Sequence, residues 1–176
     1  EAIINQVYSV KFEEIKFEGN DNLIEWIGEE QDEVYIDACI ENSTYQNVGK
    51  ENLNIVFTSI HGTTYTTVPQ ALEKAGFKNI DLVKEQMIPS GNFLTRDSPN
   101  PEEPAALEMA MDLAKITNAD IVIGTDPDGD RLGIAVRNLD GEMQLLNGNQ
   151  CNTILTYYIL NEWRKLEKIT GKEFIG

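Results

Sequence analysis

Residues 120–136 read DIVIGTDPDGDRLGIAV, in which two apolar runs stand on either side of an acidic loop. The first run, residues 121–123, consists of β-branched residues, which is typical of a buried strand. The second run, residues 132–136, begins directly after the loop. We therefore predict two strands joined by a tight turn at residues 126–131, which we call the Asp loop.

The Asp loop carries carboxylates at alternate positions, Asp126, Asp128 and Asp130. Three carboxylates held a few ångströms apart repel one another by about 1–4 kcal/mol for each pair, depending on the local dielectric. A cation among them removes that repulsion, and carboxylate oxygens are ligands that Mg²⁺ and Ca²⁺ prefer. Pro127 stiffens the turn and Gly129 allows it. The pattern predicts a divalent metal site, with a solvated acidic turn as the alternative.

Two other kinds of acidic loop share part of this pattern. An EF-hand also begins D-x-D-x-D, but it needs Gly at its sixth position and Glu at its twelfth. Those positions hold Arg131 and Arg137, and strands are predicted on both sides, so an EF-hand is excluded. A phosphatase of the haloacid dehalogenase type would use Asp126 as its nucleophile. It needs further motifs over a long downstream stretch, for which residues 132–176 leave little room, and it stays open as an alternative.

Composition and charge limit the possible partners. The chain has 176 residues, of which 41% are hydrophobic and 25% charged, as expected for a soluble globular domain. Its formal net charge is −16, from 30 acidic and 14 basic residues. Nucleic acids and anionic membranes bind basic surfaces, so neither is an expected partner. No apolar run approaches the roughly 18 residues of a membrane span, and no signal peptide opens the sequence.

The cysteines and the single histidine offer no alternative metal site. Cys39 and Cys151 lie far apart in sequence, and neither belongs to a CxxC pair. With one histidine, a Cys/His zinc set is excluded. Unpaired thiols are the rule in a reducing compartment, so we predict free cysteines and a cytoplasmic location.

A strand–helix–strand unit is predicted upstream of the Asp loop. Residues 54–60, NIVFTSI, have the apolar content of a buried strand. Thr66 or Thr67 marks the start of a helix, which Gly76 ends. A strand at residues 80–83 would then pair in parallel through a right-handed crossover. Two elements are predicted before this unit: a short strand at residues 7–10 and a helix at residues 30–42.

A long loop, residues 86–100, leads into a helix that Asn100 caps and Pro101 opens, with Glu102 and Glu103 near the positive end of its dipole. Its predicted apolar face is formed by Ala106, Leu107, Ala110, Met111, Leu113 and Ala114. The remaining predicted elements are a turn at residues 138–141, a strand at 143–146, a periodic helix at 152–168 and the start of a strand at 173–176. Together they predict an α/β fold, a three-layer α/β/α sandwich around a mostly parallel mixed sheet of about four strands.

The stretch GTDPDGDRLGIAV resembles the metal-binding loop of the phosphohexomutases, the phosphoglucomutase/phosphomannomutase superfamily. Three other stretches agree with that family in order and distance: IVFTSIHGTT at residues 55–64, SPNPEEPAAL at 98–107 and LLNGNQ at 145–150. The similarity covers nearly the whole chain and resembles most the bacterial phosphoglucomutase branch.

The resemblance implies a reaction and a set of ligands. Family members use a phosphoserine in a first domain to move phosphate between C1 and C6 of a hexose, through a bisphosphorylated intermediate. By resemblance, Asp126, Asp128 and Asp130 bind Mg²⁺ and Arg131 faces the phosphoryl group. The alternative for Arg131 is a charge partner of the three carboxylates. No other cofactor is implied.

The resemblance also implies a division into domains. Residues 1–28 correspond to the exit segment of the first domain, residues 29–147 to the second domain with its metal loop, and residues 148–176 to a truncated start of the third. The family's serine loop does not occur in this sequence. The chain is therefore expected to be inactive alone, with a hexose phosphate and the remaining domains of the same polypeptide as its partners.

Several polar residues near these stretches are given structural roles. The family has Pro-Leu before its His-Gly pair, where this chain has Ser59 and Ile60, so His61 is predicted to line the cleft without taking part in the chemistry. Arg96 is predicted to be solvated. Glu102 and Glu103 are interpreted as helix-capping residues.

Three alternative functions remain. Phosphomannomutase and phosphopentomutase belong to the same superfamily. A haloacid-dehalogenase-like phosphatase using Asp126 would hydrolyse phosphate esters by itself. A non-catalytic interaction module with an acidic loop would need no metal.

Overall fold

The computed structural model describes residues 1–43, 49–95 and 98–172, and the chain divides into two compact units, Glu1–Glu33 and Val34–Gly176. The first unit begins with helix α1 (Ala2–Ser9) and continues with short 3-10 helices at Phe12–Glu14 and Asp21–Leu23. The predicted strand at residues 7–10 is wrong, because α1 occupies most of it. Ile3, Val7 and the residues beside them recur with the helical period of 3.6 rather than the strand period of 2.

The second unit is built on a five-stranded mixed sheet in the order β2-β1-β3-β4-β5. Its strands are β1 (Asn54–Thr58), β2 (Asn79–Leu82), β3 (Ile121–Thr125), β4 (Leu132–Arg137) and β5 (Met143–Leu146). Strand β1 pairs in parallel with β2 and β3, whereas the β3–β4 and β4–β5 pairs are antiparallel. The α/β class is confirmed, but the sheet has five strands and its parallel pairs do not outnumber its antiparallel pairs. The short turns after β3 and β4 explain the difference, since only antiparallel strands can be joined by so few residues.

The longer helices are α2 (Glu29–Glu41), α3 (Thr67–Lys74), α4 (Pro104–Thr117) and α5 (Gly148–Lys165). Helix α4 begins at Pro104, so the predicted cap at Asn100 is wrong, and Glu103 is the N-cap residue. A residue before proline is disfavoured in the helical region, and Glu103 is accordingly extended. Helix α5 begins earlier than predicted, because Asn147 and Gln150 form a capping box at its start.

The core lies on both faces of β1, a strand in the interior of the sheet. Val56 belongs to a buried cluster with Ala110 and Ala114 of α4. Ile55 and Phe57, which alternate with Val56 and so face the other way, are also buried. An interior strand covered on both faces is what a three-layer α/β/α arrangement requires. Of the predicted α4 face, Ala106, Leu107, Ala110 and Ala114 are buried, and Met111 and Leu113 are partly buried.

The helical period of α5 is confirmed, and several of its apolar residues are exposed. Glu162 is the buried residue of this helix. Exposed apolar side chains are Ile154, Leu155, Tyr157, Tyr158 and Ile159. Hydrophobic periodicity identifies a helix without identifying what covers it.

Arg137 joins the end of α4 to the sheet. Its Nη2 donates to Ala114 O at 2.9 Å and its Nε to Ala119 O at 2.9 Å. Its Nη1 donates to Gly141 O in the β4–β5 turn at 2.7 Å. These bonds tie the far end of the hairpin that carries the Asp loop to the α4 layer.

Two sequence expectations concern the chain as a whole. Across residues 1–43, 49–95 and 98–172, no helix combines the length and the apolar character needed to cross a bilayer. Cys39 and Cys151 are both free, as predicted. The strand predicted at residues 173–176 lies outside the described residues.

Candidate metal centre

The Asp loop is the turn between β3 and β4, whose last paired residues are Thr125 and Leu132. It is closed by hydrogen bonds from Asp126 N to Arg131 O at 3.3 Å and from Gly129 N to Asp126 O at 3.1 Å. Gly129 has φ +76, a conformation that L side chains rarely adopt, which explains a glycine at this position. The strand–turn–strand context predicted for these residues is confirmed.

The three aspartates of the loop converge. One carboxylate oxygen from each of Asp126, Asp128 and Asp130 lies within 4.8 Å of the other two. Asp126 is fully buried at the start of the loop, whereas Asp128 and Asp130 are exposed. The alternate spacing in the turn therefore places three hard oxygen donors around one point, with one donor fixed by the fold and two open to solvent.

Arg131 is the charge partner of Asp126. Its backbone N–H donates to Asp126 Oδ1 at 2.9 Å, and its Nε donates to Asp126 Oδ2 at 2.8 Å. Burial raises the pKa of the Asp126 carboxyl, but the hydrogen bonds from Arg131, together with those shared with Asp130 and Asp128, more than offset this effect, so that the pKa lies below its ordinary value. A carboxylate has about four lone-pair sites, so both oxygens retain the capacity to bind an ion.

The electrostatics of the loop fit a divalent cation. A hydrogen bond shared with Asp126 raises the pKa of Asp130, and the charges of Asp128 and Asp126 raise it further. Such an upward shift means that the anion is repelled by its neighbours, and either a proton or a cation relieves that repulsion. Oxygen donors of this kind suit Mg²⁺ rather than zinc or copper.

A segment that follows β1, residues 62–64, supports the Asp loop, and we call it the cradle. Thr63 donates to Pro127 O from its backbone N at 2.9 Å and from its Oγ1 at 3.1 Å. Thr64 Oγ1 lies 2.6 Å from Thr125 Oγ1. A Cβ built on Gly62 would lie 2.4 Å from Pro127 Cα, so only glycine allows the two backbones to approach this closely.

Sequence relatives place this arrangement in a family. Residues 33–141 match the profile described as "Phosphoglucomutase/phosphomannomutase, alpha/beta/alpha domain II". The chain belongs to the phosphoglucomutase/phosphomannomutase family. The matched part includes β1, the cradle, α4 and the Asp loop.

Relatives and solved structures of the family agree with this assignment. The chain is 41% identical over 119 residues to phosphoglucomutase of Staphylococcus aureus strain USA300, and the match covers 68% of this chain and 22% of that protein. A putative phosphomannomutase from Thermus thermophilus has the same fold, with a TM-score of 0.61 and 20% identity over 74% of this chain and 29% of that one. A family protein from Burkholderia thailandensis gives a TM-score of 0.50 at 24% identity, over 64% of this chain and 22% of that one.

His61 is buried behind the cradle, and its ring takes part in a structural network. Its Nδ1 lies 2.8 Å from Ile88 O and its Nε2 3.0 Å from Thr95 Oγ1. Gln86 is also buried, and its side chain bonds both to Thr95 and to Thr58 at the end of β1. The sequence does not signal the second contact, because Thr58 and Gln86 lie 28 positions apart in the chain. The predicted position of His61 in a cleft wall stays a prediction.

Three other polar residues were given roles from the sequence. Arg96 lies outside the described residues. Glu103 is the N-cap residue of α4, but its side chain makes no capping hydrogen bond and accepts instead from Asn100 Nδ2 at 3.3 Å. The backbone N of Glu102 donates to Asn100 Oδ1 at 3.2 Å, so Asn100 organises the turn before the helix rather than the helix itself.

The Asp126 carboxylate is expected to contribute pH-dependent stability. Because its pKa is lower in the folded chain than in the unfolded chain, its contribution is complete above about pH 4 and is lost as the pH falls through the folded pKa. With a chelator present, Asp126→Asn should lower the free energy of unfolding by about 2 kcal/mol at neutral pH, and the difference from wild type should shrink as the pH falls through the folded pKa of Asp126. Urea unfolding at a series of pH values measures this. Asp140→Asn, on the exposed β4–β5 turn, is the matched control, and an Asp126→Asn difference that stays constant with pH contradicts the prediction.

Proposed function

We propose that this chain is the metal-binding part of a phosphohexomutase that interconverts hexose 1-phosphate and hexose 6-phosphate, with glucose as the preferred hexose. The observation that carries the proposal is the convergence of three carboxylates on one turn of a family domain. The 41% identity to a phosphoglucomutase supports glucose over mannose or a pentose. The matched segment spans about a fifth of that relative, so the complete reaction belongs to a longer protein.

In this proposal Asp126, Asp128 and Asp130 hold Mg²⁺. A bound Mg²⁺ supplies positive charge that offsets the charge of a phosphoryl group during transfer. Asp126 keeps its buried oxygens in place through Arg131, which fixes one side of the site before any ion arrives. The exposed Asp128 and Asp130 accept an ion from solvent and lose their mutual repulsion when they do so.

Arg131 also has the chemistry to bind phosphate. Its side chain is 55% exposed and uses Nε on Asp126. Within the described part of the chain, its terminal Nη groups donate no hydrogen bond, so they are available to phosphate oxygens. The planar fork of a guanidinium matches two such oxygens. We infer that Arg131 orders Asp126 and contacts the transferred phosphoryl group at the same time.

The proposal also assigns the parts of the chain to domains of the longer protein. We infer that residues 1–28 leave a first domain that carries the phosphoserine, that residues 29–147 form the second domain, and that residues 148–176 begin a third. The chain then has no turnover by itself, and its partners are the hexose phosphate, the bisphosphorylated intermediate and the other domains. The charge of −16 supports the absence of nucleic acid and membrane partners, and the two free cysteines support a cytoplasmic location.

The geometry of Asp126 does not favour the phosphatase alternative. A nucleophilic carboxylate needs an oxygen that a phosphorus atom can reach. The Asp126 side chain is 1% exposed, and both of its oxygens accept hydrogen bonds from Arg131. These contacts fix the orientation of the Asp126 carboxylate and do not favour it as a nucleophile.

The decisive experiment is an Asp128→Asn substitution in the full-length protein, assayed with Mg²⁺ on glucose 1-phosphate and mannose 1-phosphate. Losing a metal ligand removes several kcal/mol of transition-state charge stabilisation, so we expect turnover on glucose 1-phosphate to fall by about 10²–10⁴-fold. Asp140→Asn is the control and should retain wild-type turnover. Unchanged turnover in Asp128→Asn contradicts the proposed site. Phosphate ester hydrolysis by the 176-residue chain alone points to the phosphatase instead.

A further inference from the structure

His61 lies where the chain leaves β1 and turns into the cradle, in a backbone conformation that needs external support. Ile60 has φ 45 and His61 has φ 62, two successive non-glycine residues in the left-handed region. Such a conformation is strained and persists only where neighbouring contacts impose it. For a β-branched residue such as Ile60 the conformation is a clear outlier.

The contacts that impose it come from residues 86–95. His61 N donates to Gln86 O at 2.7 Å, and His61 O accepts from Ser90 N at 3.0 Å. The ring adds two more bonds, from Nδ1 to Ile88 O at 2.8 Å and between Nε2 and Thr95 Oγ1 at 3.0 Å. One residue thus makes four hydrogen bonds to a single segment, and half of them depend on the imidazole.

These bonds fix the position of the imidazole proton. A carbonyl oxygen only accepts, so Nδ1 carries a proton and donates to Ile88 O, while Nε2 shares a hydrogen bond with the Thr95 hydroxyl. Thr95 Oγ1 in turn accepts from Gln86 Nε2 at 3.1 Å, and Gln86 Oε1 accepts from Thr58 Oγ1 at 2.7 Å. Every polar group in this chain of hydrogen bonds has a partner, and a fully satisfied buried network is rigid.

The residue after His61 carries this rigidity to the Asp loop. Gly62 is in direct backbone contact with Pro127, and Thr63 donates two hydrogen bonds to Pro127 O. Pro127 stands between Asp126 and Asp128, so the carbonyl that the cradle holds is part of the turn that aims both carboxylates. A displacement at His61 would therefore move the ligands themselves.

We propose that His61 is a positioning residue for the Asp loop. Its ring, held by Ile88 O and Thr95 Oγ1, fixes the left-handed turn and thereby holds the cradle against Pro127, which keeps the three carboxylates arranged for a divalent ion. The link to the ion rests on the proposed function. The link from His61 to the cradle and Pro127 does not, and it is tested separately.

The first test compares Mn²⁺ affinity, by titration calorimetry, in variants that separate the ring from the backbone. His61→Asn and His61→Gly both tolerate the left-handed conformation, but neither side chain bridges Ile88 O and Thr95 Oγ1. We expect each to bind Mn²⁺ about tenfold more weakly, as for the loss of an outer support of a metal site. Thr95→Val, which removes only the hydroxyl, should show the same direction.

The control is a variant that lowers the free energy of unfolding but leaves the hydrogen bonds of His61, Gln86 and Thr95 intact. Ile36→Val removes a methyl group from a buried position in α2 and should leave Mn²⁺ affinity unchanged. If Ile36→Val weakens Mn²⁺ binding as much as His61→Asn does, the effect is one of general stability and the proposal is overturned. Wild-type affinity in His61→Asn, His61→Gly and Thr95→Val overturns the link to the ion.

A second test needs no metal. The amide of Thr63, bonded to Pro127 O, should exchange with deuterium about tenfold faster in His61→Asn than in wild type, and the amides of β1 should not. Unchanged exchange at Thr63 overturns the positioning role even where metal affinity falls. If wild type binds no Mn²⁺, the proposed ion is wrong, and this exchange still decides the role of His61.

The ¹⁵N resonances of the His61 imidazole give a third test. The chain has one histidine, so its imidazole ¹⁵N resonances are assigned without ambiguity. We expect a protonated Nδ1 in wild type and a changed Nε2 resonance in Thr95→Val. A ring with its proton on Nε2 overturns the network, because Nδ1 would then have no proton to donate to Ile88 O.

Discussion

Gly62→Ala is expected to damage the Asp loop more than any substitution of equal size elsewhere in the unit. The added Cβ would lie 2.4 Å from Pro127 Cα, 2.7 Å from Pro127 O and 2.8 Å from Ser59 O. All three are backbone atoms, so no side-chain rotation relieves the overlap, and the loop must shift. We expect the free energy of unfolding to fall by about 1–3 kcal/mol and the Mn²⁺ affinity to fall by about 10–100-fold. Urea unfolding and calorimetry measure the two effects.

This effect is steric rather than conformational. Gly62 has φ −96 and ψ −175, which any residue adopts. The matched control is Gly91→Ala, where the added Cβ meets no atom within 4 Å. If Gly62→Ala retains the Mn²⁺ affinity of Gly91→Ala, the cradle does not hold the loop and the account of the site is wrong.

Gly133→Ala is expected to be the most destabilising of the glycine substitutions, with its main effect on stability. Gly133 pairs with Gly124 across the β3–β4 hairpin, and a Cβ there would lie 2.2 Å from Pro101 O and 2.8 Å from Pro101 C. Both atoms belong to the turn that leads into α4, which therefore has to separate from the sheet. We expect a loss of about 3 kcal/mol or more in the free energy of unfolding, measured by urea.

Gly62→Ala and Gly133→Ala should differ in how much stability and how much Mn²⁺ affinity each loses. Gly133→Ala should lose more stability than Gly62→Ala, while its remaining folded molecules should bind Mn²⁺ more tightly than those of Gly62→Ala. Gly91→Ala again sets the baseline. An unfolding free energy for Gly133→Ala within about 0.5 kcal/mol of wild type would contradict the close contact between β4 and Pro101.

The hairpin and its acidic loop could be predicted from sequence because their determinants are local. Two apolar runs, a proline, a glycine and three aspartates stand next to one another between residues 120 and 136. The register of β3 on β4 follows from the length of the loop between them. The pairing of Arg131 with Asp126 was open from sequence, since an arginine beside acids is compatible with either a phosphate contact or an ion pair.

The parts that could not be predicted depend on neighbours or on competing local rules. At the start of α4 both Pro101 and Pro104 are acceptable first residues, and the extended conformation of Glu103 decides for the second. The ring of His61 bonds to Ile88 and Thr95, which lie 27 and 34 positions away in the chain. No periodicity or motif signals such a pairing.

Helices α1 and α5 also show what periodicity leaves undetermined. The predicted strand at residues 7–10 belongs largely to α1, because a four-residue stretch with apolar residues at positions 7, 8 and 10 fits either period. The period of α5 identified the helix correctly but not the exposure of Ile154 and Leu155. The period of a helix depends on its own sequence, whereas the burial of its side chains depends on the element that packs against it.

Thr63 and Pro127 are 64 positions apart in the chain, so the two halves of the site meet only when the sheet has formed. For the proposed metal site, ion occupancy and folding are then expected to be linked equilibria. By mass action, a ligand that binds only the folded chain adds about 2.7 kcal/mol to its stability at 100 times the dissociation constant. If the proposed ion binds, a substitution that loosens the sheet is expected to weaken ion binding, and removal of the ion is expected to lower the melting temperature of strands that do not contact it.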